Sequence, residues 1–162
     1  MVNGADSETM TAKRVDPFAT FKFHVEIKGI EEAAFTECSG LEISTEVYEY
    51  QEGGLNEYVH KLPGRIKMSN VTLKRGFAIS NAKTSELHNW YSEIEEALLT
   101  GNEIAHKEVT ITLYSTAKQG EKMSWTLNKA FPVKWVGPAF KSDEAAVAIE
   151  SLEFAHHGIT QG

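Results

Sequence analysis

Between Glu37 and Phe77 apolar and polar residues alternate along two long limbs, and few folds accommodate such a run. On the outgoing limb Leu41, Ile43, Thr45 and Val47 fall on one side, with Glu42, Ser44, Glu46 and Tyr48 on the other. A period of two is the pattern of a β-strand with one face covered and one face wet. The returning limb repeats it, setting Val71, Leu73 and Phe77 against Thr72, Lys74 and Gly76. Ile66 and Met68 are out of phase with Val71 and Leu73, which predicts a bulge near Ser69 and Asn70. Gly53-Gly54 and Pro63-Gly64 mark the stretch between the limbs, read as an irregular excursion from Gln51 to Arg65. A two-stranded ribbon of this length does not stand alone in water. It needs neighbours.

The flanking sequence supplies only part of them. Phe21, Phe23, Val25 and Ile27 alternate with Thr20, Lys22, His24 and Glu26, a strand that Lys28-Gly29 turns and a short strand from Ala34 to Cys38 follows. After Gly76 the rhythm changes. Leu87, Trp90, Tyr91, Ile94, Ala97 and Leu98 form one helical stripe, with Thr84 as candidate N-cap, Gly101 as candidate C′ residue and Glu86, Glu93, Glu95 and Glu96 on the other face. Val109, Ile111 and Leu113 give another strand, and Gln119-Gly120 a turn. A long strand runs from Met123 to about Val136, with Pro132 at an edge or a bulge and Gly137-Pro138 ending it. A last strand spans about Ala145 to His157; Val147 and Ile149 share one face and Leu152 and Phe154 the other, so it bulges or is covered on both sides. Six to eight strands and one helix place the chain in the mainly β (α+β) class, as a small barrel or sandwich.

At 162 residues the chain is read as a polar N-terminal arm (1–16) and one domain (17–162), with Asp16-Pro17 at the boundary. A net charge of -7, spread along the chain, argues against nucleic acid as main partner. No apolar run is long enough for a membrane span, and residues 1–16 lack the apolar core of a secretory signal, so synthesis and assembly in the cytoplasm are expected. The single cysteine, Cys38, excludes an intramolecular disulfide and reads as a small buried residue rather than a nucleophile. The six histidines show no metal-ligand spacing, and the adjacent His156 and His157 point to opposite faces of a strand. Gly53-Gly54 lacks the lysine and strand-to-helix setting of a phosphate loop. Trp90, Trp125 and Trp135 read first as core anchors and second as interface residues. No catalytic, metal or cofactor constellation emerges, and the chain is not expected to be an enzyme.

Five ordered blocks carry a family resemblance: DPFATFKFHVEIKGI, FTECSGLEISTEVYEYQEGG, KLPGRIKMSNVTLKRG, LHNWY and AFPVKWVGPAFKSDEAAVAIESLEFAHHGI. From Asp16 to about Ile159 the chain resembles the tail-tube proteins of contractile phages and phage-tail-like contractile injection systems. It departs at Gln51, where that block calls for arginine, and in its polar arm. The resemblance implies a structural protein whose hexameric rings stack into a rigid inner tube, each subunit completing a multi-subunit barrel. The implied partners are other copies, a contractile sheath protein, baseplate or hub and tube-terminating proteins, and lumenal cargo proteins. No specific nucleic-acid sequence and no stable membrane binding are implied. The implied location is a phage tail or phage-tail-like particle, released or anchored. Two other readings stand beside it: a baseplate-proximal paralogue that initiates the tube, and a ligand-carrying β-barrel.

On this reading Leu41–Tyr50 and Ile66–Phe77 supply part of the inner wall, and the excursion reaches neighbouring subunits. Candidate interface residues are Gly40, Leu41, Tyr50, Gly53, Gly54, Leu62, Pro63, Gly64 and Trp135. Candidate lumen residues, by alternation, are Lys22, His24, Glu26, Glu42, Glu46 and Lys74. A bulky residue at Gly40 or Gly54 is expected to block assembly more than folding. If each of six subunits lends four strands, ~24 strands at ~4.8 Å spacing and ~40° tilt enclose a barrel about 50 Å across, with a bore of about 40 Å.

Overall fold

The computed structural model describes residues 21–30, 35–54, 57–76, 86–115, 120, 122–139 and 148–162. These form nine strands and one helix in the order β1 (Phe21–Ile27), β2 (Glu37–Ser39), β3 (Ile43–Tyr50), β4 (His60–Met68), β5 (Val71–Gly76), α1 (Glu86–Thr100), β6 (Lys107–Ser115), β7 (Lys122–Val136), β8 (Ile149–Ala155) and β9 (Gly158–Gln161). The mainly β class with a single helix is as the periodicity predicts. The expected arm and its boundary, Ala34, Phe77, Thr84, Gln119 and the stretch from Ala145 to Val147 lie outside the described residues.

Seven strands make one curled antiparallel sheet in the order β1-β6-β7-β8-β5-β2, with β9 also on β7. The long strand β7 is its spine. Its first half pairs with β6 on one side, Ile111 opposite Trp125, and with β9 on the other, Gln161 opposite Trp125. Its second half pairs with β8, Ala155 opposite Phe131. Asn128 opposite Gly158 and Phe131 opposite Ala155 keep one register, so β8 and β9 form a single line along β7, broken only at His156-His157. The β6 ladder, in contrast, slips between Lys107 and Val109. Lys129 takes up the extra residue in a left-handed conformation, φ 51°. A second slip lies between Pro132 and Lys134, the bulge expected at this proline. β9 itself is not expected from the sequence.

The core lies on one face of this sheet, under α1. Val25, Ile27, Val71, Leu73, Val109, Ile111, Leu127, Ala130, Leu152 and Phe154 turn in from the strands, and Leu87 and Trp90 from the helix. α1 buries Leu87, Trp90, Ile94 and Ala97, as its period predicts, and packs against β7. Burying a side chain such as Leu87 contributes about 2 kcal/mol. The expected stripe is too wide at its end: Ala97 is buried but Leu98 beside it is exposed. The helix stops at Thr100, and the Asn102 amide closes back on the Ala97 carbonyl at 3.0 Å.

β8 settles the phase ambiguity of the last strand. Glu150, Leu152 and Phe154 turn into the core, and Ile149 is half exposed. Glu150 is a wholly buried carboxylate on the apolar face. It accepts hydrogen bonds from Arg75 Nε at 2.8 Å and Trp135 Nε1 at 2.7 Å, so the charge is paired within β5, β7 and β8.

Candidate assembly surface

The two limbs that dominate the sequence divide their work. Their ends near the body, β2 and β5, pair as sheet: Glu37 with Lys74, Cys38 with Leu73, Ser39 with Thr72. Their outer parts, β3 and β4, leave the body as a separate two-stranded ribbon. The register is continuous through the junction, from Ser39 opposite Thr72 to Ile43 opposite Met68. The joint is Gly40-Leu41-Glu42 against Ser69-Asn70; the bulge expected there is not found, since the register passes through unchanged, and the Ser69 amide reaches the Glu42 carbonyl at 3.2 Å.

The joint depends on Gly40. Its φ is +92°, and a Cβ there would run into the Asn70 carbonyl oxygen. Further out, the ladder slips between Thr45 and Val47. The extra residue is on β4, at Gly64-Arg65, and a Cβ at Gly64 would meet the Tyr48 ring. β4 starts at His60, so the excursion read from Gln51 to Arg65 is irregular only in its first part. Pro63 is tolerated because this ribbon has a free edge on each side.

Among the described residues nothing covers either face of the ribbon, so the dry face expected from the alternation has no cover from this chain itself. Ile43 is 52% exposed, Val47 58% and Ile66 64% on one side; Tyr48 and Leu62 are equally open on the other. Ile43 stands opposite Met68 and Thr45 opposite Ile66, so the apolar side chains form a continuous strip. At its base the strip meets the body. Leu41 and Ile43, with Trp125, Ile159 and Gln161, line an open groove of about 310 Å³. Trp125 and Ile159 pack against the core, so the strip extends the apolar side of the sheet outward. The other face is charged, and Lys67 binds Glu46 at 2.5 Å.

The predicted interface residues distribute unevenly. Leu41, Tyr50, Leu62, Pro63 and Gly64 lie on the ribbon or its base, and Gly53 and Gly54 in its loop with nothing within 4 Å of an added Cβ. Trp135 lies elsewhere, in the body, bonded to Glu150 and meeting His88 edge-on at 4.6 Å. Among the lumen candidates, Lys22, His24, Glu26 and Lys74 share the sheet face turned away from the core, since Val25, Ile27 and Leu73 turn in. Lys74 is tied to Glu37 at 2.8 Å. Across this face run Thr110, Thr112, Ser124 and Thr126, a hydroxyl-rich surface. Glu46 sits on the ribbon instead, and Glu42 at its joint with the body.

The buried Glu150 was missed by sequence reasoning although it lies in phase with Leu152 and Phe154, the signal that would have found it. Burial pushes the Cys38 thiol up to about 11, which leaves it protonated near neutrality and unsuited to nucleophilic attack. Among the described residues no three His, Cys, Asp or Glu side chains converge on one point. No helix among them is long and apolar enough to cross a membrane.

A family model described as T4-like virus tail tube protein gp19 matches residues 19–160. No curated protein matches the sequence. Among solved structures, the chain is similar to one in the PVC sheath/tube terminator of an extracellular contractile injection system, in the extended state. Identity is 27%, over 93% of this chain and 99% of that one, with a TM-score of 0.74. It is similar to a chain of the PVC sheath-tube complex at 27% identity, over 99% of both chains, with a TM-score of 0.73. The anti-feeding prophage cap, a tube terminating cap, gives 26% identity over 95% of this chain and 98% of that one, with a TM-score of 0.75.

Proposed function

The chain belongs to the T4-like virus tail tube protein family, and on that premise we propose that six copies close into a ring and that rings stack into the inner tube of a contractile particle. The observation that carries the reading is the β3–β4 ribbon. Among the described residues it has two free edges and an uncovered apolar strip, and it continues the register and the apolar side of the body sheet. Ladder groups left open on an edge recruit another chain. A surface that receives a different surface of the next copy closes into rings when the rotation allows it. Sister copies laid beside the ribbon satisfy both needs at once.

Function is then mechanical. The tube is a conduit, and a sheath outside it supplies the stroke. The face with Lys22, His24, Glu26 and Lys74 among threonines and serines lines the bore, where hydroxyls and paired charges give cargo little apolar surface to hold. Stiffness comes from ladders that cross subunit boundaries. The protein works as a component of a phage tail or extracellular injection particle, and catalysis has no part in it.

A terminating ring is the second reading. It is favoured by the similarity to the sheath/tube terminator and the cap, which equals that to the sheath-tube complex. Copy number in purified particles separates the two, because a terminator contributes about one ring and a tube subunit many. The ring itself is tested by sedimentation of the purified chain over rising concentration, with negative-stain imaging of the heavy fraction. Six-fold rings or striated rods are expected. A monomer at every concentration overturns the proposal.

A further inference from the structure

The geometry points to a two-histidine binding site for a late first-row divalent cation at the kink of β7. His106 directly precedes β6, and His157 fills the break between β8 and β9. Their ring centroids are 5.6 Å apart, with the planes at 63°. Two imidazoles bound through nitrogen to one tetrahedral ion at about 2.1 Å hold their centroids about 5 Å apart. A small rotation of either ring therefore brings both onto the same ion.

The pair is prepared by its surroundings. Phe131 meets His106 edge-on at 5.6 Å and His157 edge-on at 6.5 Å, which limits the rotamers of both. The backbone is fixed on each side. The His157 amide donates to the Asn128 carbonyl at 2.9 Å, and Lys107 pairs with Ala130. Both imidazoles are exposed, and among the described residues neither makes a hydrogen bond, so their nitrogens are open to an ion. Among the described residues no third protein ligand converges there. Water, or an acceptor from a second copy, takes the remaining positions.

An all-imidazole pair selects Cu²⁺, Ni²⁺ and Zn²⁺ over Mg²⁺ and Ca²⁺, which take oxygen. The bound ion staples the entrance of β6 to the β8–β9 break, across the one non-glycine residue with positive φ among the described residues, Lys129. The sequence hides the site because its ligands are 51 residues apart, and His157 draws attention only to its neighbour His156, which turns inward.

The test is Zn²⁺ titration of the untagged chain by calorimetry, with thermal unfolding alongside. One ion per chain is expected, and a rise of several degrees in the midpoint at saturation. His106→Gln and His157→Gln should each weaken binding about tenfold or more, as the loss even of an outer-shell partner does. Neither should move the metal-free midpoint, and His60→Ala should change nothing. Electron paramagnetic resonance of the Cu²⁺ form reads the ligands directly: two imidazole nitrogens from different rings support the site. Absence of saturable binding, binding retained in the double variant, or a single-imidazole signal overturns it.

Discussion

Gly40 and Glu150 show how much a single position can hold here, one by lacking a side chain and one by burying a charge. Gly40 allows the limbs to pass from body to ribbon, and a Cβ has no room beside the Asn70 carbonyl. Gly40→Val is therefore expected to cost about 2 kcal/mol or more of folding stability, measured by urea unfolding. The expectation that a bulky residue blocks assembly more than folding thus changes at this position. At Gly54 an added Cβ would meet nothing, but the φ of +99° strains any other residue, so a folding cost is expected there as well. Glu150→Ala strips the buried carboxylate from Arg75 and Trp135, and about 3 kcal/mol should be lost in the same measurement. Glu150→Gln keeps an acceptor for the indole and should lose less. The glycine was legible as a turn marker. The role of Arg75 was not, because its partner lies 75 residues further on and only the sheet brings them together.

At the scale of elements, what the sequence disclosed depends on where the pairing information resides. β1, β6, β7 and α1 carry their own period and were legible to within a residue or two. β9 was not, because four residues beginning with a glycine acquire strand character only from β7. The first half of β4 was hidden by Pro63-Gly64, two residues that usually end strands. A free edge accommodates the proline and a bulge the glycine. The ribbon's alternation was legible too, but not the absence of any layer over its apolar strip. Ile43→Lys together with Ile66→Lys puts two charges on that strip while leaving the core alone. Monomer stability should change by less than about 1 kcal/mol, and ring or tube formation should be lost. Unfolding and sedimentation of the one variant separate the two effects, and assembly at wild-type levels would remove the strip from the interface.

For the whole molecule, the body and the ribbon differ in kind. The body buries its core under one helix. The ribbon is held by its own two strands and a groove at its base, which is too little for a structure of this length. Family membership was legible in five ordered sequence blocks, and the fold is a curled half-barrel sheet with one helix. The candidate lumen residues on β1 and β5 were legible as one face by alternation alone, while the ribbon's charges proved to belong to a different surface. A cryo-electron microscopy reconstruction of the assembled chain, at a resolution that separates strands, decides the matter. β3 and β4 should lie in main-chain register with strands of adjacent copies, in an unbroken wall of about 24 strands. An assembly whose ribbons stand clear of every neighbouring strand would contradict it.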